Sequence, residues 1–143
     1  MATPFVHQLR IRYGECDPQG IVFNANYVAF FDHVFTELWR QAFGSYRSMV
    51  DRGVDMVVAE MNLTFRGSAR FDDLVEIEAT IERLGTTSMT TRLELAREGE
   101  PLVEATIRHV FVDTASWSKT PIPTWLRDGL TPYVALAGSD GTP

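Results

Sequence analysis

In "YGECDPQGIVFNANYVAFFD", from Tyr13 to Asp32, a carboxylate stands in a turn just ahead of the most hydrophobic helical stretch of the chain. The acid is Asp17, and Pro18 and Gly20 follow it before a helical pattern begins near Asn26, itself a good N-cap residue. A helix start presents unpaired N–H groups and a partial positive charge. A carbonyl oxygen placed there is polarised toward an oxyanion. A carboxylate a few residues upstream can sit on the other side of that carbonyl. From there it either attacks the carbon itself or takes a proton from an attacking water. Gly20 lets the backbone approach a ligand closely. The same residues also fit an ordinary turn, in which Asp17 bonds to the backbone two residues on. The residues alone leave both readings open.

Other reactive constellations are missing. The chain has no GxSxG nucleophile elbow, no phosphate-binding GxxxxGK[ST] and no HExxH. His7, His33 and His109 lack metal-ligand spacing, so no metal is expected. His109 falls on a strand row among apolar neighbours and reads as a core or interface histidine, while His33 falls on the exposed side of the helix. Cys16 is the single cysteine, which rules out an intrachain disulfide. With no base near it in sequence, it reads as a small hydrophobe.

The elements that must position Asp17 follow from periodicity. Residues 5–13, "FVHQLRIRY", alternate as a first strand with Phe5, His7, Leu9, Ile11 and Tyr13 on one face. The helix from Asn26 carries Tyr27, Phe30, Phe31, Val34, Phe35, Leu38, Trp39 and Ala42 at helical spacing, and Gly44 is its stop. After a loop, residues 55–65 form a second strand. In "LVEIEATIE", Val75, Ile77, Ala79 and Ile81 alternate with polar residues, the mark of a strand with one wet face. A hairpin follows, with Met89, Thr91, Leu93 and Leu95 on one row and its turn at "REGEP". The return strand covers about 102–112, with Val103, Ala105, Ile107, His109 and Phe111 on one face. A short helix is expected near 123–130. One long helix covering one face of a five-stranded antiparallel sheet is an α+β architecture.

The 143 residues suit one domain over 1–143, with a mobile tail from about 135. At 45% hydrophobic the chain is long enough and apolar enough to bury a core. The formal net charge of −6, without a basic stripe, argues against nucleic acid as a partner. No stretch approaches the ~20 apolar residues of a membrane span, and the first residues do not read as a signal peptide. A soluble, cytoplasmic protein is expected.

The stretch "D-P-x-G-I-V-x-x-x-N-Y", after a first strand and leading into an aromatic helix, resembles the hotdog-fold acyl-CoA thioesterases, in particular the 4-hydroxybenzoyl-CoA thioesterase family. The resemblance extends through "LTFRGSARFDDLVEIEATIERLGTTSMTTRLEL" to "KTPIPTWLRDGL". It implies a hotdog fold, a sheet wrapped around one central helix, and hydrolysis of an acyl-CoA to free acid and CoA. Asp17 matches the catalytic nucleophile or general base. The backbone N–H of Asn24 matches the group that polarises the thioester carbonyl, with Gly20 between them. Many members carry His or Tyr where this chain has Asn24, a departure that bears on the acyl group. Tyr27 matches an aromatic residue beside the acyl pocket. Phe23 and Phe30 would join it, which points to an aromatic or short acyl group. Arg66, Arg70 and Arg83 are candidates for the CoA phosphates, and Thr86, Thr87 and Ser88 for pantetheine amides. The resemblance further implies a homodimer joined edge to edge, paired into a homotetramer, with no cofactor beyond the CoA of the substrate.

Three alternatives remain at this point. Asp32, on the helix, is a rival carboxylate. A hotdog hydratase or dehydratase would need His109 or His33 to reach Asp17. A non-catalytic acyl-CoA-binding module would keep the fold without the chemistry.

Overall fold

The structure is a computed structural model that describes residues 3–135. Apart from Ala135, the expected mobile tail lies outside the described residues. The chain runs through β1 (Phe5–Arg10), a 3₁₀ turn (Tyr13–Glu15), α1 (Ala25–Phe43), α2 (Tyr46–Asp51), β2 (Val54–Phe65), β3 (Leu74–Leu84), β4 (Ser88–Arg97), β5 (Glu100–Asp113) and α3 (Thr124–Leu130). The five strands form one sheet in the order β1-β3-β4-β5-β2, and every neighbouring pair is antiparallel.

The alternating rows decide what the sheet hides. Val75, Ile77, Ala79 and Ile81 of β3 are buried, as are Met89, Thr91, Leu93 and Leu95 of β4 and Val103, Ala105, Ile107, His109 and Phe111 of β5. Against this face lies the apolar stripe of α1, where Phe31, Val34, Leu38 and Trp39 are fully enclosed. Five antiparallel strands around one long helix are the hotdog arrangement, an α+β fold.

Four local features differ from the sequence expectation. β1 ends at Arg10, opposite Leu74 where its partner β3 begins; Ile11 still exchanges backbone bonds with Asp72 and Asp73, but there the partner chain turns, with Asp72 at φ +72°. Tyr13 therefore leaves the strand, opens the 3₁₀ turn and is 80% exposed. The helix starts at Ala25 with Asn24 in the cap position, and Asn24 makes no side-chain capping bond. Asn26 is not the cap, because its side chain is used elsewhere (below). α2 was not expected. It is only six residues long and starts at Ser45, whose Oγ accepts the Ser48 N–H at 3.0 Å. At the other end of α1, Gly44 adopts φ +86° and donates its N–H to the Arg40 carbonyl, a glycine stop as expected.

β1 and β2 are the two edges of the sheet. β2 is 12 residues long and is interrupted by a bulge between Val58 and Glu60. Val58 and Phe65 remain exposed along it.

Candidate active site

The segment between the 3₁₀ turn and α1 folds back on itself. The Asp17 N–H donates to Ile21 O (2.9 Å), the Gly20 N–H to Asp17 O (2.9 Å) and the Phe23 N–H to Glu15 O (3.0 Å). Gly20 adopts φ +81°, which the tight return requires and which a side chain strains. Gly20→Ala should therefore cost about 1 kcal/mol of stability, with no steric clash, since nothing lies within 4 Å of a Cβ there. Urea denaturation of the two proteins checks this.

Asp17 sits at the head of this loop. Its Oδ1 accepts the Gln19 N–H at 2.8 Å. Its second oxygen makes no hydrogen bond among the described residues. Asp17 lines an open cleft of about 510 Å³ together with Tyr13, Cys16, Pro18, Gly20 and Phe71. The turn and the free oxygen coexist, so the turn role and the chemical role open from the sequence are not mutually exclusive.

The loop and the helix start are joined at one atom. The Glu15 carbonyl that takes the Phe23 N–H also takes the Asn26 side-chain N–H, at 2.8 Å. The first helix N–H groups come next. Asn26 and Tyr27 donate to Phe23 O and Asn24 O, whereas the N–H groups of Asn24 and Ala25 have no acceptor among the described residues. Two open donors therefore stand at the positive end of a 19-residue helix, one loop away from the carboxylate.

The floor is held from the sheet. Val22 N–H bonds Ala69 O (2.9 Å), and Ile21 bridges Arg70. Tyr27, 2% exposed, accepts the Ala69 N–H on its hydroxyl at 3.1 Å. Burial pushes this phenol up, so it stays protonated. Its ring packs edge-on to Phe30 and beside Phe65. Phe30 is buried, while Phe23 is 49% exposed.

The segment 66–73 that carries these contacts is pinned by a pair that the sequence reading missed. Arg97 Nη1 donates to Asp73 Oδ2 (2.8 Å) and to Ser68 O (3.3 Å). The Arg70 N–H also bonds Asp73 Oδ2. Burial alone would push the Asp73 carboxyl up, but the Arg97 bond, the Arg70 N–H and the charges of both arginines leave it below its usual range. A depressed carboxyl stabilises the fold above its unfolded value, near 3.9, and loses that contribution as the pH falls through the folded value. Asp73→Asn should thus lower stability by ~1 kcal/mol at neutral pH. The gap to the parent should close as the pH falls below about 4, a comparison made by denaturant melts across pH.

The remaining candidates are scattered. Arg70 is exposed and precedes the cleft residue Phe71 in the chain, and its guanidinium is unpaired among the described residues. Arg66 is exposed and committed to Glu104, which Arg92 also holds. Arg83, Thr86, Thr87 and Ser88 lie at the far end of β3 and in its turn. Ten residues separate Leu74 from Leu84, roughly 30 Å along the strand. Within one protomer they do not meet Asp17. Asp32 is exposed on α1 and lines a different cavity. His33 is exposed, its ring 5.1 Å from that of His7 and its Nε2 3.6 Å from Glu37. No histidine lines the Asp17 cleft. Among the described residues no cluster of potential ligands could hold a metal ion, and no helix is long and apolar enough to cross a membrane.

Similarity to known proteins defines the class to which this hotdog sheet belongs. The thioesterase superfamily model matches residues 19–104, so the chain belongs to that superfamily. The acyl-CoA thioester hydrolase YbgC of Escherichia coli is 31% identical over 122 residues, covering 85% of this chain and 91% of that protein. The 4-hydroxybenzoyl-CoA thioesterase of a Pseudomonas species is 32% identical over 106 residues, 68% of this chain and 71% of that one. A thioesterase-superfamily crystal structure from a Jannaschia species superposes with a TM-score of 0.88 over 94% of this chain and 95% of that one, at 22% identity, and shares the fold.

Proposed function

We propose that the protein hydrolyses an acyl-CoA thioester to the free acid and CoA, with Asp17 as the reacting carboxylate. The observation that carries this reading is the uncommitted Asp17 oxygen in an open cleft, one loop away from the unpaired Asn24 N–H. Similarity to proteins named for thioester hydrolysis supports it. In the general-base route Asp17 takes a proton from water, the hydroxide adds to the carbonyl carbon, and the oxyanion is held by the Asn24 N–H. The C–S bond then breaks and the thiolate takes up the proton. In the nucleophilic route the Asp17 carboxylate displaces the thiolate, and water hydrolyses the resulting anhydride. Both routes yield the same acid and thiol, and neither calls on a metal or a resident cofactor.

Phe23, Tyr27 and Phe30 favour an aromatic acyl group such as 4-hydroxybenzoyl, or a short one. Gly20 keeps the loop clear of the ligand. Arg70 is the cation we assign to the CoA phosphates. Arg66, Arg83, Thr86, Thr87 and Ser88 fit only as contacts with the substrate of a neighbouring protomer. The long open β2 edge supports assembly into a homodimer, and two dimers into a homotetramer. The acidic chain acts on this reading as one cytoplasmic domain.

Thiol release from a panel of aromatic and aliphatic acyl-CoAs tests the proposal. Turnover of at least one, with discrimination of tenfold or more across the panel, is the expected result. Tight binding without turnover would replace the enzyme by a binding module.

A further inference from the structure

Residues 15–23 form a narrow antiparallel ribbon. Cys16 bridges Val22, the Asp17 N–H donates to Ile21 O, and the Phe23 N–H donates to Glu15 O. One arm carries Asp17. The other is held to the sheet at Ala69 and runs directly into α1. These bonds close the ribbon on itself, and none reaches from the acid arm to the helix. One side chain does. Asn26, in the first turn of α1, donates its amide N–H across to the Glu15 carbonyl at 2.8 Å, a partly buried bond between residues eleven apart. Among the described residues no other side chain of α1 bonds to the ribbon.

Both ends of this link are held from outside. Glu15 accepts the Arg12 N–H on Oε1 and the Arg12 guanidinium on Oε2, each at 2.7 Å, which fixes the foot of the acid arm. α1 is anchored by Phe31, Val34, Leu38 and Trp39, all fully enclosed. The carboxylate stands two residues beyond one end of the link, and the open Asn24 N–H two residues before the other. The Glu15 carbonyl keeps the Phe23 N–H whether or not Asn26 is present, so loss of the amide strands no acceptor. What the amide adds is registration between the two arms.

We propose that Asn26 is a positioning residue for the thioester hydrolysis proposed above, and this rests on that reading. Through the Glu15 carbonyl it holds the Asp17 carboxylate at a set distance from the Asn24 N–H. Those two groups must meet one carbonyl from different sides, and a misplacement of about 1 Å costs on the order of 10²-fold in rate. The role needs a neutral donor, because an acceptor at this position repels the carbonyl it faces. Since the helix is pinned by its own core stripe, removing Asn26 frees the acid arm and leaves the N–H donor in place.

A double-mutant cycle of Asn26→Ala with Asp17→Asn, read as kcat and KM on the best acyl-CoA, is the test. Asn26→Ala alone should lower kcat by about 10- to 100-fold. KM should stay within about twofold, because no side chain lining the Asp17 cleft has changed. In the Asp17→Asn background the same change should lower kcat by less than about threefold, since no acid is left to misplace. Asn26→Asp, which sets a carboxylate against the carbonyl, should be at least as slow as Asn26→Ala. The melting temperature of Asn26→Ala should fall by less than about 5 °C, the scale of one hydrogen bond. Losses that multiply in the double variant would overturn the proposal. So would a loss carried by KM, or a parent-like rate for Asn26→Ala beside a disabled Asp17→Asn. An Asn26→Ala protein unfolded at the assay temperature would assign the bond to stability and overturn it too. Full activity in Asp17→Asn is a separate result, which removes the role of Asp17 and that of Asn26 with it.

Discussion

Replacing Asp17 by asparagine is expected to lower kcat on the best acyl-CoA by roughly 10³-fold or more, with KM little changed, which corresponds to about 4 kcal/mol of barrier. The substitution isolates chemistry from folding. Asparagine keeps an Oδ1 that can accept the Gln19 N–H, and the backbone bonds to Ile21 and Gly20 do not involve the side chain. The loop therefore keeps its shape while the second oxygen becomes an amide, which neither takes a proton at neutral pH nor attacks a thioester. Thermal melts of the two proteins should coincide. Asp32→Asn is the matched control. Asp32 is exposed on α1 and absent from the Asp17 cleft, so its loss should change the rate by less than about threefold, within the small range of surface substitutions. Equal rates for the parent and Asp17→Asn would reduce Asp17 to a turn residue.

The largest effect on stability is expected at Trp39. Its side chain is completely buried, its indole N–H points at the Met49 sulfur at 3.3 Å, and its ring lies beside Phe43 and Tyr46. It thus fills the space under α1 and anchors α2 as well. Trp39→Ala should cost about 3–5 kcal/mol, through lost transfer energy and the cavity left behind. Against a total of about 5–15 kcal/mol for a domain, that is roughly a fifth or more of the stability. The melting temperature should fall by roughly 10 °C or more. Trp117, 58% exposed in a loop, is the contrast, and Trp117→Ala should stay within about 0.5 kcal/mol. Urea melts of both variants measure the difference, and similar losses would refute the packing argument.

Where one face is wet and the other dry, the chain is legible from its sequence. β3 shows this best, since Val75, Ile77, Ala79 and Ile81 are buried in strict alternation with polar residues. The helix was legible because its stripe is wide, and the position of Asp17 because the main-chain bonds that close its own loop lie within about ten residues, although its floor is held from Ala69 and Arg70. What failed to show was decided at a distance or by competition. The Asp73–Arg97 pair joins residues 24 apart, brought together only when β4 returns past the 66–73 segment. Asn26 looked like a cap, but its side chain found the Glu15 carbonyl eleven residues back. α2 is too short for periodicity, and only Ser45 hinted at it.

The seam at Glu15 has a consequence for how such a chain can change over generations. Two elements meet there through a carbonyl oxygen, which no substitution of Glu15 removes, and the loop behind it closes through main-chain bonds from Asp17, Gly20 and Phe23. Spacing between acid and helix is thus written largely in backbone, while the rim is written in the side chains of Tyr13 and Phe71. Drift can rewrite the rim without retuning the spacing between Asp17 and the helix start.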